Sequence, residues 1–119
     1  MDAMAQATAD PTKSEMQIDR MAESAREASE FLKALAHESR LMILCNLLDG
    51  EKSVGELEAS LALRQSTVSQ QLARLRLEGL VAARRDGKTI YYSIADDKAR
   101  IVIGVLYNAF CGGKTPLGS

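Results

Sequence analysis

The sequence predicts a mainly helical domain that carries one small β-hairpin. Between residues 53 and 80, apolar side chains recur at helical spacing in two short runs joined by a tight turn. Two strand-like runs follow directly, on either side of an Asp86-Gly87 pair that is typical of a hairpin turn. A chain of 119 residues with 46% hydrophobic residues can bury one modest core. We therefore expect one domain with the element order α-α-α-α-β-β-α.

The two ends of the chain differ in composition from its middle. Residues 1–14 are rich in Ala, Asp and Thr and predict a disordered tail, while residues 112–119 contain Gly and Pro and predict a loose one. The domain is thus expected at residues 15–111. Strong helix formers predict its first helix from Glu15 to Leu35.

The second helix is expected over residues 40–48. Its apolar positions follow the i, i+3, i+4, i+7 spacing and are Leu41, Leu44, Cys45 and Leu48. This spacing places Cys45 on the buried stripe. His37 precedes the helix, at a junction where a capping or packing role is expected.

The next two helices are predicted to form a helix-turn-helix. Their apolar stripes are Val54, Leu57 and Leu61 in the first and Val68, Leu72 and Leu75 in the second. Ser66 is the expected N-cap of the second helix, and Gly79 its expected stop. The other face of this helix is rich in hydrogen-bonding side chains: Gln65, Ser66, Thr67, Ser69, Gln70 and Arg74. Such a face suits the major groove of DNA, and it would also suit plain exposure to solvent.

The hairpin decides between these two interpretations. Its strands are expected at residues 80–85 and 88–94, and its tip is basic because Arg84, Arg85 and Lys88 flank the turn. A hairpin directly after a recognition helix is the wing of a winged helix-turn-helix domain. The combination favours binding of double-stranded DNA, with the wing on phosphates.

Charge is distributed unevenly along the chain. The formal net charge is −1, which alone argues against a nucleic-acid partner. Residues 1–62, however, hold six basic and twelve acidic residues, whereas residues 63–90 hold six basic and two acidic ones. The predicted recognition helix and wing therefore form a basic stripe with a net charge of +4 on an acidic body.

The last helix is expected from Asp96, a good N-cap, to Phe110. Its apolar stripe is wider than a small core needs and consists of Ile101, Val102, Val105, Leu106, Ala109 and Phe110. With the first helix it predicts the interface of a homodimer. A two-fold dimer would read a palindromic operator with half-sites about one helical turn apart.

Several classes of protein are disfavoured. No apolar run approaches the length of a membrane span, and the N-terminus lacks an apolar signal region, so a cytoplasmic protein is expected. Two cysteines do not make a disulfide framework. A thiol enzyme needs a positioned base, but His37 is the only histidine, and no Gly-rich phosphate loop is present. We predict no enzyme and no cofactor.

The region from residue 30 to 110 resembles the ArsR family of small dimeric winged-helix repressors. The motifs that carry the resemblance are LAHESR at 35–40, QSTVSQQL at 65–72, LEGLV at 77–81 and GKTIYY at 87–92. The resemblance implies a repressor that occupies its operator until an inducer weakens the grip.

Metal sensing, which is common in that family, is not expected here. Some members use a Cys-x-Cys motif in the first helix of the helix-turn-helix, but residues 54–58 contain no cysteine. Others use Asp and His on the last helix, which offers Asp96 and Asp97 without histidine. The remaining candidates, Cys45, Cys111 and His37, lie far apart in sequence. We therefore predict no metal site.

The two cysteines resemble those of the sulfide- and persulfide-responsive subgroup, the BigR- and SqrR-like repressors. The resemblance implies that reactive sulfur species link Cys45 and Cys111 through a disulfide or polysulfide, and that DNA is then released. Cys111, near a helix end, is the expected exposed attacker, and Cys45 the shielded partner. Two alternatives stay open: a thiol sensor of peroxide or another electrophile, and inert packing thiols in a repressor whose inducer is unknown.

Overall fold

A computed structural model describes residues 11–112, with side chains from Ser14 onward. The predicted tails lie outside this range, apart from residues 11–14 and Gly112. Residues 11–14 are helical, so the first helix begins four residues before the predicted Glu15. The reason is Pro11, because proline is favoured at the first position of a helix, where its missing N–H costs nothing.

The order of the elements agrees with the prediction, with one added strand. The helices are α1 (Pro11–Leu35), α2 (Glu38–Asn46), α3 (Val54–Leu61), α4 (Gln65–Leu77) and α5 (Asp97–Cys111). The strands are β1 (Lys52–Ser53), β2 (Val81–Asp86) and β3 (Thr89–Ile94), in an antiparallel sheet of order β1-β3-β2. Strand β1 has only two residues, too few for a sequence pattern to show.

The described chain forms two compact units, one that ends at Lys33 and one that begins at Ala34. The first is helical and exposes apolar side chains, among them Met16, Ile18 and Met21. The second contains the core. Its largest fully buried side chains are Leu35, Ile43, Leu44, Leu47, Leu57, Leu72, Leu75, Ile103 and Val68. Helix α4 therefore buries its whole predicted stripe, whereas α3 buries Leu57 and leaves Val54 and Leu61 half-buried.

The buried side of α2 differs from the predicted one. Ile43 and Leu47 are buried, whereas Leu41 and Cys45 are only half-buried. Helix α2 ends at Asn46 and continues as a 3-10 turn over Leu47–Asp49, which changes the helical period at the end of the stripe. The prediction of a buried Cys45 was thus too strong.

The helix ends show which local signals were correct. Asp96 caps α5 by accepting from the N–H groups of Lys98 and Ala99, as predicted. Gly79, at φ +77°, follows α4, and the N–H of Leu80 bonds to the carbonyl of Leu75, which closes a Schellman motif. The prediction that Ser66 caps α4 was wrong.

Helix α4 begins at Gln65, and its N-cap is Arg64, in an extended conformation with no side-chain cap bond. Ser66 therefore already lies inside the helix, where it cannot cap. At the wing, Asp86 pairs with Thr89, so Gly87 and Lys88 form the turn, one residue later than predicted. Gly87 supplies the positive φ, +66°, that this two-residue connection needs.

Candidate nucleic-acid interface and cysteine pair

The polar face of α4 points to solvent. Val68, Leu72 and Leu75 bury one side of the helix, so the residues about half a turn away are free of the core. Of the six α4 residues predicted to face DNA, five are exposed: Gln65, Ser66, Ser69, Gln70 and Arg74. Thr67, the sixth, is half-buried. The described structure therefore gathers this set on the outer side of one helix, with Thr67 at its margin.

The wing carries its basic residues on exposed positions, but they are not equivalent. Arg85 and Lys88 are exposed at the end of the hairpin. Arg84 instead turns toward Glu51, which directly precedes β1, and its Nη2 lies 2.5 Å from Glu51 Oε1. Its guanidinium also lies over the ring of Tyr91, 5.0 Å from the ring centroid.

Electrostatics around this pair follow from the contact. The hydrogen bond from Arg84 lowers the pKa of the Glu51 carboxyl, and the same bond raises the pKa of Arg84. Both groups therefore stay charged and cancel each other locally. Sequence reasoning missed Glu51 because it lies 33 residues from Arg84, outside any local motif.

Helices α2 and α5 pack against each other, and each carries one cysteine. Cys45 is half-buried, Cys111 is exposed at the last residue of α5, and both are free thiols. Burial raises the pKa of the Cys45 thiol, and negative charge on Cys111 raises the pKa further. Cys111 is the more accessible of the two thiols.

His37 has the capping role expected for it. Its Nδ1 accepts a hydrogen bond from the N–H of Ser39 at 3.2 Å and so caps α2. Among residues 11–112, no group of three or more His, Cys, Asp or Glu side chains is arranged to hold a metal ion. Within the same residues, no helix is both long and apolar enough to cross a membrane.

Comparison with known proteins gives consistent matches. The arsR family of bacterial regulatory proteins matches residues 37–83. The chain is 50% identical over 103 residues to the biofilm growth-associated repressor of Agrobacterium fabrum, covering 87% of this chain and 88% of that protein. It is 43% identical over 96 residues to the transcriptional activator HlyU of Vibrio cholerae, covering 81% and 89%.

Solved structures agree with these relatives. The reduced form of HlyU from Vibrio cholerae N16961 has a TM-score of 0.73 at 43% identity and covers 77% of this chain and 97% of its own. The transcriptional repressor BigR from Xylella fastidiosa has a TM-score of 0.74 at 42% identity and covers 82% and 96%. The similarity therefore extends beyond the helix-turn-helix to most of the described fold.

Proposed function

We propose that this chain, which belongs to the arsR family of bacterial regulatory proteins, represses transcription as a homodimer on a palindromic operator and releases DNA when persulfide oxidises Cys45 and Cys111. As a member of that family it is a DNA-binding transcriptional regulator with a winged helix-turn-helix fold, and not an enzyme. Its relatives include proteins named as repressors. The dimer, the inducer and the cysteine switch are the proposal.

The exposed polar face of α4 is the observation that supports DNA reading. We assign the major groove to Ser66, Ser69 and Gln70, because short and medium polar side chains can reach base edges there. Gln65, Thr67 and Arg74 flank them. On the wing, Arg85 and Lys88 are assigned to phosphates, which position the protein without reading sequence.

Exposed apolar side chains on α1 and α5 support a homodimer. On α5, Ile101 is 65% exposed and Val105 62% exposed, one helical turn apart. A contiguous apolar stripe of this kind on a small domain is typical of a protein–protein interface. A second copy of the chain is the partner that would also give the two-fold symmetry of a palindromic operator.

The packing of α2 against α5 supports the switch. The Cys111 thiolate attacks the outer sulfur of a persulfide, RSSH, and forms a Cys111 persulfide, Sγ–SH, while RS⁻ leaves. The Cys45 thiolate then attacks the Cys111 sulfur and expels hydrosulfide. In total, two thiols and one RSSH give one disulfide, one RSH and one molecule of hydrogen sulfide. The new bond would tie α2 to α5 and disturb the spacing of the two recognition helices.

The testing experiment combines DNA release with intact mass. Reduced protein bound to a duplex selected from a random library is treated anaerobically with a persulfide donor or with peroxide, then with a reductant. We expect release by persulfide, loss of both thiols and reversal by the reductant, and no release from Cys45→Ser or Cys111→Ser. Equal loss of two hydrogens under both oxidants would favour a general disulfide switch. Release from both single variants would refute the switch and leave DNA binding intact.

A further inference from the structure

Arg40 is the only buried charged side chain among residues 14–112, and it is 9% exposed. It lies in α2, where Ile43 and Leu44 are also buried. No acidic side chain in the described part of the chain lies within ion-pair distance of it. Burial of a guanidinium without a carboxylate partner costs free energy, so the presence of Arg40 at this position needs an explanation.

The guanidinium joins two helices through neutral acceptors. Its Nε donates to the side-chain oxygen Oε1 of Gln71 at 2.8 Å, and its Nη1 donates to the backbone carbonyl of Ala34 at 2.6 Å. Ala34 lies in the last turn of α1, and Gln71 lies in α4. Arg40 thus connects the end of α1 to the recognition helix.

Gln71 lies on the inner side of α4, and the outer side of this helix is the one proposed to contact DNA. It is half-buried and directly follows Gln70, which is exposed on the outer face. Val68, Leu72 and Leu75 are fully buried and determine which face of α4 meets the core. The hydrogen bond from the planar guanidinium of Arg40 to Gln71 is directional, so it adds a second constraint on the rotation of α4 about its axis.

We propose that Arg40 is a positioning residue for sequence recognition. Through its hydrogen bond to Gln71 it sets the rotation of α4, and so the direction in which Ser66, Ser69 and Gln70 project. The proposal rests on DNA binding by α4 and is independent of the cysteine switch. Removal of the guanidinium leaves the acceptors of Ala34 and Gln71 without this donor and so costs stability on its own. Recognition is therefore judged by the ratio of the affinities for two duplexes, which a loss of stability alone does not change.

The test compares two duplexes: one selected by the wild-type protein from a random library, and a scrambled duplex of the same composition. Arg40→Met and Gln71→Met should each lose about tenfold in affinity for the selected duplex, the order of one lost base contact. Affinity for the scrambled duplex and its salt dependence should stay within about twofold, since phosphate contacts remain. The double variant should bind the selected duplex no more weakly than the weaker-binding single variant, because both substitutions remove the same Arg40–Gln71 hydrogen bond.

Arg100→Met is the matched control. Arg100 also donates to a backbone carbonyl, that of Ile94 at 3.2 Å, but it is exposed and lies on α5. Its replacement should leave discrimination between the two duplexes unchanged. Wild-type discrimination in Arg40→Met would overturn the proposal. A parallel loss on both duplexes, together with a lower Tm, would also overturn it, because Arg40 would then serve only the fold.

Two further measurements apply if Arg40→Met does not fold or if no duplex is preferred. Gln71→Met leaves the bond to Ala34 in place and is judged by the same ratio of affinities. In the DNA-free protein, NMR should show the Arg40 Nε–H exchanging more slowly with solvent than those of exposed arginines, and Gln71→Met should abolish this protection. Fast exchange in the wild-type protein would overturn the proposal whatever the protein binds.

Discussion

Arg84 donates through Nε and Nη2 to the carboxylate of Glu51, while its guanidinium covers the ring of Tyr91. Tyr91 is the cross-strand partner of Arg84 in β3, and it is also paired with Ser53 of β1. The arginine thus reaches across the sheet to the residue before β1. Of the three basic residues predicted at the wing, this one already has an anionic partner before DNA arrives.

Release of Arg84 from Glu51 should strengthen DNA binding. In the wild-type protein the Glu51 carboxylate occupies the Arg84 guanidinium, and Glu51→Gln removes this anion, so Arg84 becomes available to a phosphate. We expect the slope of log affinity against log salt concentration to become steeper by about 0.9, the value for one added phosphate contact. Lys88→Ala should flatten it by the same amount. Fluorescence anisotropy over a salt series measures both.

Asp49→Asn controls for the change in net charge. Asp49 pairs with Lys52 at 2.6 Å, so Asp49→Asn removes one negative charge, as Glu51→Gln does, and leaves Arg84 bound to Glu51. A steeper slope in Glu51→Gln alone would identify Arg84 as the new contact. An equal change in both variants would instead trace the effect to net charge.

Val105 tests the proposed homodimer. Val105→Asp places a charge on the exposed apolar stripe of α5, where burial in an interface would be costly. Sedimentation equilibrium should therefore show a shift from dimer to monomer, with weaker operator binding. Leu77→Asp is the control for the oligomeric state alone, since Leu77 is 87% exposed and lies on α4, the proposed DNA-reading helix, outside the proposed dimer interface. Dimers in both variants would contradict the assignment of α5.

The thiol of Cys45 should react at higher pH than an unperturbed cysteine. Burial and the charge of Cys111 both raise its pKa, so less of it is thiolate at a given pH, and the thiolate is the reactive form. Alkylation by iodoacetamide, followed by peptide mass analysis, should label Cys111 first near neutral pH. In Cys111→Ser, the pH midpoint of Cys45 alkylation should move down, because the like charge is gone while burial remains. An unchanged midpoint would mean that the two thiols do not interact.

Local patterns in the sequence predicted most of the fold, but they could not predict contacts between residues that are distant in the sequence. Helical spacing found α3 and α4, and the Asp86-Gly87 pair found the wing, because these features depend on neighbouring residues. The same spacing counts an apolar cysteine as core, so it overstated the burial of Cys45. The bonds from Arg84 to Glu51 and from Arg40 to Gln71 span 33 and 31 residues, and only the folded chain brings these groups together.

The position of a serine relative to the start of a helix decides whether it stabilises that helix by capping. Ser53 accepts from the N–H of Glu56 at 3.1 Å, and the Glu56 carboxylate accepts from the N–H of Ser53 at 2.8 Å, which completes a capping box on α3. Ser53→Ala should therefore lower the free energy of unfolding by about 1 kcal/mol in urea denaturation. Ser66→Ala, inside α4, should leave it nearly unchanged, since alanine is the better helix former. If Ser66→Ala were the more destabilising of the two, α4 would begin at Thr67 with Ser66 as its cap.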